Sequence, residues 1–174
     1  MDRLPALMAD VVGRRVDVII TVGTNAAVAA RNATRTTPIV LAAVGDPVGS
    51  GLVASRGRPG GNVTGLSVEM TDEMSGKWLE LLQETVPRLA TVAVIWNPDD
   101  LLNAKLRKPL DAAAQMRHVE LWFIGVRAPE VALDTSFRQA QRQAQAVLML
   151  SDPYIFQIQR QIAALAVRHR LPDM

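Results

Sequence analysis

Three apolar runs in this chain stop at the same kind of punctuation, a small or polar residue followed by a helix start or a tight turn. Val16 to Gly23 runs into Thr24-Asn25-Ala26-Ala27, Pro38 to Gly45 into Asp46-Pro47, and Thr91 to Trp96 into Asn97-Pro98. Uninterrupted β-branched runs of this length suit strands buried on both faces, hence parallel sheets between helices. Ligands of such sheets collect just past the carboxyl ends of the strands. The sequence places Gly23, Thr24, Asn25, Asp46, Asn97 and Asp152 there, so a binding crevice is expected before any motif is invoked.

The rest of the chain alternates in the same way. Helices are predicted over residues 3–15, 24–35 (with Thr24 as N-cap), 71–86, 101–117, 130–143 and 154–169, and strands over 16–22, 38–44, 63–68, 91–96, 119–126 and 146–150. The passage from Asp46 to Asn62 is turn-rich, with room for a short helix, and Gly60-Gly61-Asn62 tolerates positive φ. Pro109 should kink or break its helix because proline removes a backbone donor. Trp78, Leu79, Leu82 and Val86 form an inward stripe. This order predicts an α/β fold with right-handed crossovers. Two lobes, 1–70 and 71–174, are preferred to one continuous sheet.

Composition removes several functional classes. The 174 residues contain no cysteine, which excludes disulfides, thiol nucleophiles and cysteine zinc sites. The net charge is +2, and the basic groups Arg14-Arg15, Arg56 to Arg58, Lys105 to Lys108 and Arg168 to Arg170 are scattered. They read as solvated helix ends or loops, so no nucleic-acid partner is expected. No apolar run reaches the about 18 residues that cross a bilayer, and Met1-Asp2-Arg3-Leu4 opens into an amphipathic helix without a secretory leader. His118 and His169 both read as solvated ends, with no second ligand at metal spacing, so neither metal nor cofactor is expected. No Gly-x-Ser-x-Gly elbow or phosphate loop is present. The fold alone does not exclude an α/β enzyme.

Longer stretches carry a resemblance. Asp17 to Thr24, Gly45 to Ser55 and Arg58 to Ser67 closely resemble the bacterial ABC-transporter substrate-binding protein family that includes tryptophan- and tyrosine-binding members; Val92 to Pro98, Ser151-Asp152-Pro153 and Arg168 to Pro172 continue the match. The resemblance implies a two-lobed, type I periplasmic-binding fold with parallel sheets flanked by helices and a ligand held in an interlobe cleft. It also implies an exported or lipid-anchored, periplasmic protein that hands its solute to a membrane permease. Against the family pattern the chain is expected to be a truncated member, incomplete at both ends, whose unpaired sheet edges invite dimerisation. Asn25 departs from a proline common in the family. A regulator's ligand-sensing half shares the fold but would need a helix-turn-helix segment, which is not seen.

Each candidate residue has a bland reading beside the functional one. Amides and hydroxyl at Gly23-Thr24-Asn25 suit a carboxylate, or simply cap a helix. Asp46 suits an ammonium group, or makes an Asp-Pro turn. Thr64 beside Gly65 offers a hydroxyl where backbone can approach closely, or marks a bulge. Asn97 and Asp152 offer amide and carboxylate, or form turns. The expected ligand is a small amino-acid-like or aromatic solute, bound without catalysis.

Overall fold

A computed structural model describes residues 3–68, 72–127 and 131–174. The chain divides into two compact units, residues 1–70 and 71–174, each with its own three-stranded parallel sheet.

The first unit runs α1 (Leu4–Gly13), β1 (Ile19–Val22), α2 (Thr24–Ala33), β2 (Ile39–Gly45) and β3 (Val63–Val68), with strand order β1-β2-β3. β1 is shorter than the run 16–22 because its partner begins only at Ile39: the first ladder bond is Ile19 N–H to Pro38 O, 2.9 Å. One face of the sheet (Ile19, Ile39, Leu41, Val44, Val63) is packed under α2 and α1. Ala27 and Ala30, both fully buried, let α2 lie close against it. Leu52 and Val53 close the same core from the long connection, which makes turns through 47–51 and no helix.

The second unit runs α3 (Asp72–Thr85), β4 (Thr91–Trp96), α4 (Leu101–Met116), β5 (Glu120–Gly125), α5 (Val131–Gln143), β6 (Ala146–Met149), α6 (Pro153–Gln157) and α7 (Gln159–His169), with order β5-β4-β6. The chain steps from β4 to β5 and back past β4 to β6, so right-handed crossovers put α4 and α5 on opposite faces. Val92 to Ile95 of the central strand are consequently all fully buried. Ala93, Ile95 and Val147 pack against Leu133, Phe137 and Ala140 of α5 and Ile162, Leu165 and Ala166 of α7. Val92 and Val94 point to the other face, where α3 and α4 pack together with Leu79, Leu82, Leu106 and Leu110 buried. Of the stripe expected on α3, Trp78 and Val86 are only half-buried.

Three expectations are corrected here. α4 runs unbroken through Pro109. The predicted helix 154–169 is two helices: Ile158, at φ −103° and ψ 15°, shares its N–H between Tyr154 O and Ile155 O, and a new helix starts behind it. Its side chain packs against the α5–α7 core. Lys105 to Lys108 lies mid-helix in α4, with Lys105, Arg107 and Lys108 exposed. Past α7, Pro172 to Met174 lie alongside β6: Val147 N–H donates to Pro172 O (2.8 Å) and Met149 N–H to Met174 O (2.7 Å).

Candidate functional site

In the first unit the ends of β1 and β2 are tied together by the turn into α2. Gly23 adopts φ 82° and ψ 149°, a backbone region that favours glycine, and donates its N–H to Ala43 O at 2.8 Å. Gly23 is the N-cap, and having no side chain it makes no side-chain cap hydrogen bond. Thr24, the residue expected to cap, is instead the first helical residue. It is buried, and its hydroxyl donates to Gly45 O at 3.3 Å. The helix therefore opens on amides with no hydroxyl or carboxylate from its own N-cap, an arrangement that suits an anion.

Asn25 follows in the first turn, half-buried. Asp46, in the left-handed region at φ 42°, accepts the Gly49 N–H on Oδ1 (2.9 Å), and its carbonyl accepts the Ser50 N–H (3.0 Å) and hydroxyl (2.8 Å). Gly23, Thr24, Asn25 and Asp46 thus gather at the carboxyl ends of β1 and β2.

Thr64 lies elsewhere. It pairs with Val40 near the start of β3, exposed, whereas the β3 residue opposite Gly45 is Val68. Its neighbour Gly65 has φ 134°, and a Cβ there would sit 2.2 Å from Leu41 O. The glycine is required by close backbone approach at a register shift in the β2–β3 ladder.

In the second unit the ends of β4 and β6 hold a connected polar cluster. Asn97 Nδ2 donates to Asp152 Oδ2 at 2.7 Å, and Asn97 Oδ1 accepts the Asp99 N–H at 3.0 Å. Asp152, buried, caps α6 by accepting the Ile155 N–H on Oδ1 at 2.7 Å. Asn97 and Asp152 are therefore brought into direct contact.

The sequence reading missed two members of this cluster. Asp100 caps α4, accepting on Oδ1 both the N–H (2.9 Å) and the side-chain amide (3.1 Å) of Asn103. Asn103, fully buried, also donates to Ser151 O (3.1 Å) and accepts the Asn97 N–H (3.2 Å). The available signal was an Asp directly before an apolar-periodic run, the position of an N-cap. Burial pushes the Asp100 carboxyl above its usual range; the Asn103 hydrogen bonds oppose this and the nearby Asp152 charge adds to it.

His169 is not a solvated end. It is buried, stacked on Phe137 with ring centroids 6.1 Å apart, and its ring nitrogens lie 3.1 Å from Gln141 Oε1 and 3.2 Å from Asp134 Oδ1. Among the described residues no group of three or more His, Asp or Glu side chains is placed to hold a metal ion, and no helix is long and apolar enough to cross a membrane. A concavity of about 470 Å³ in the first unit is lined by Arg31, Arg35, Leu52, Pro59, Gly60 and Asn62, among others. It lies by the start of β3 and the end of α2, and none of the expected ligand-binding residues lines it.

Comparison with known proteins gives this arrangement a context. A family model described as ABC transporter substrate binding protein matches residues 2–172. Over 107 residues, 62% of this chain and 30% of the relative, the chain is 36% identical to the tyrosine-binding protein of Clostridioides difficile (strain R20291). Among solved structures it is similar to a conserved domain protein from Vibrio cholerae O1 biovar El Tor, 26% identical with a TM-score of 0.82, covering 97% of this chain and 57% of that one. It is also similar in fold to an ABC domain from Streptococcus pneumoniae in complex with L-Trp, 19% identical with a TM-score of 0.79, covering 99% and 57%. The architecture is that of type I periplasmic-binding proteins. The chain spans under a third of the curated relative and somewhat over half of these two solved chains.

Proposed function

The chain belongs to the ABC transporter substrate-binding protein family, and from that premise we propose that it is the solute-binding component of an uptake system, taking an amino-acid-like or aromatic solute. The observation that carries this reading is the pair of polar strand ends. One, at Gly23, Thr24, Asn25 and Asp46, sets the amino end of a helix beside a carboxylate; the other is the cluster of Asn97 and Asp152 with Asp100 and Asn103. The relative named for tyrosine binding and the fold relative solved with L-Trp support the choice of solute. In this reading the amides by Thr24 hold the solute carboxylate and Asp46 its amine, and Asn97 and Asp152 are the polar pair that the second unit contributes by itself. The role is binding without turnover, outside the cytoplasm, with transfer to a membrane permease.

Titration calorimetry of the chain with L-tyrosine and L-tryptophan tests the proposal. Saturable heat is expected, and Asp46→Ala should weaken it at least about tenfold, since a hydrogen bond to a charged group contributes about 1.5–3 kcal/mol. Trp96, immediately before Asn97 and edge-on to Phe123 at 5.8 Å, serves as an independent fluorescence reporter. Absence of binding by any of the twenty amino acids would refute the reading; unchanged affinity in Asp46→Ala would remove Asp46 from it.

A further inference from the structure

The concavity of about 470 Å³ in the first unit carries an unbalanced charge. Arg31, in the last turn of α2, and Arg35, just past it, both line it, and none of its lining residues is acidic. Arg31 is half-buried, yet among the described residues neither guanidinium meets a carboxylate or any other acceptor. Arg117, half-buried in the second unit, pairs instead with Glu80 at 3.2 Å. From residue 31 to 63 the sequence holds four arginines, Arg31, Arg35, Arg56 and Arg58, against one carboxylate, Asp46. That carboxylate accepts the Gly49 N–H at the opposite end of the sheet.

The long connection adds fixed donors. It is closed by Ala54 N–H to Pro59 O (2.9 Å) and by Ser55, whose Oγ accepts the Arg58 N–H (3.1 Å) and donates to Arg58 O (3.2 Å). This turn delivers Gly60, at φ 78°, and Gly61 to the lining. Among the described residues neither glycine N–H has an acceptor, and successive free amides at a turn make an anion-binding concavity. Carbonyls past the end of α2 would oppose an anion, but Asn62 Nδ2 donates to Thr34 O (3.4 Å) and Thr37 O (2.7 Å) and occupies them. Buried Leu52 and Val53 supply an apolar part of the lining.

We propose that this concavity binds a phosphate group, free or carried by a small monoester. Two guanidiniums exceed what one carboxylate balances, whereas a phosphate monoester carries about −1.5 to −2 charges at neutral pH and three acceptor oxygens. Guanidinium forks match phosphate bidentately, which leaves an oxygen for the glycine amides. The volume falls within the about 300–1,000 Å³ usual for small-molecule sites, so the organic part of an ester fits beside Leu52 and Val53. Every lining residue lies in the first unit. None is a residue assigned above to the amino-acid-like solute, so the phosphate site stands independently of that solute.

Amide NMR of the isotope-labelled chain tests this in chloride buffer, with inorganic phosphate and methyl phosphate as probes and acetate as the comparison anion. Saturable shifts of the Gly60 and Gly61 resonances are expected with phosphate. Equal or tighter binding of methyl phosphate assigns the site to esters, and tighter binding of inorganic phosphate assigns it to the free ion. Acetate should bind at least about tenfold more weakly, having one charge to share between two guanidiniums. Arg31→Gln and Arg35→Gln should each weaken phosphate binding at least about tenfold, whereas Arg142→Gln, exposed in the last turn of α5, should leave it unchanged. Arg35 is exposed, so its variant carries the test where Arg31→Gln disturbs the fold, which the dispersion of the same spectrum displays. Absence of saturation by either phosphate probe up to about 20 mM, a free energy too small for a built site, overturns the proposal. So does equal weakening by all three substitutions, the mark of general charge attraction, or equal affinity for acetate.

Discussion

Replacing Gly65 by alanine should strongly destabilise the β2–β3 ladder, and the structure sets the size of the effect. The added Cβ would lie 2.2 Å from Leu41 O, 2.5 Å from Leu41 N and 2.9 Å from Leu41 C. All three are main-chain atoms, so no rotamer relieves the clash and one strand must shift. Forcing φ 134° on a residue with a Cβ costs about 1–3 kcal/mol, and overpacking adds about 1–3 kcal/mol. The sum of about 2–6 kcal/mol compares with total stabilities of about 5–15 kcal/mol for ordinary domains. Denaturant titration, together with hydrogen exchange at the Ile39–Gly45 amides, measures it. Gly61→Ala is the control: a Cβ there meets nothing within 4 Å, and the change should stay within about 0.5 kcal/mol. Gly65→Ala behaving like that control would refute the close-approach explanation.

Two titratable groups give predictions of opposite sign. Arg138, then His169, hold the Asp134 carboxyl below its usual range, so its contribution to stability is fully present above the ordinary carboxylate pKa and is lost as pH falls through the depressed value. Asp134→Asn should flatten that acid limb when Tm is followed from neutral pH downward; an unchanged limb would remove Asp134 as its source. Asp100 is raised by burial, so the folded state holds its proton more tightly and stability falls as pH rises from the ordinary to the raised pKa. Asp100→Asn keeps an acceptor for the Asn103 N–H and should match or exceed wild-type Tm at pH 7, whereas Asp100→Ala loses the cap and should cost about 1–2 kcal/mol. Equal Tm values for the two variants would count against this account.

The elements were legible where burial was complete. β4 spans Thr91–Trp96 as its unbroken apolar run predicts, because helices cover it on both faces. β1 was over-read at Val16 to Val18 because a strand's start depends on where its partner begins, which local pattern does not encode. His169 was misjudged from its arginine neighbours, although it continues the spacing of Ile162, Leu165 and Ala166 into the core of α7. The cap at Gly23 was hidden because a glycine needed for its backbone angle displaced the better hydrogen-bonding Thr24 by one position. Asn97 and Asp152 were visible as strand-end residues, but their mutual bond and the buried Asp100–Asn103 support join positions up to 55 apart.

The pairing of β4 with both β5 and β6 bears on how the chain emerges from the ribosome. Thr91 meets Glu120, 29 positions on, but Val92 meets Ala146 only 54 positions on. At about 5–20 residues per second, the β6-facing edge of β4 waits on the order of 3–10 s for its strand. Throughout that interval a row of backbone donors and acceptors on the central strand of the second unit stands open to any neighbouring nascent chain.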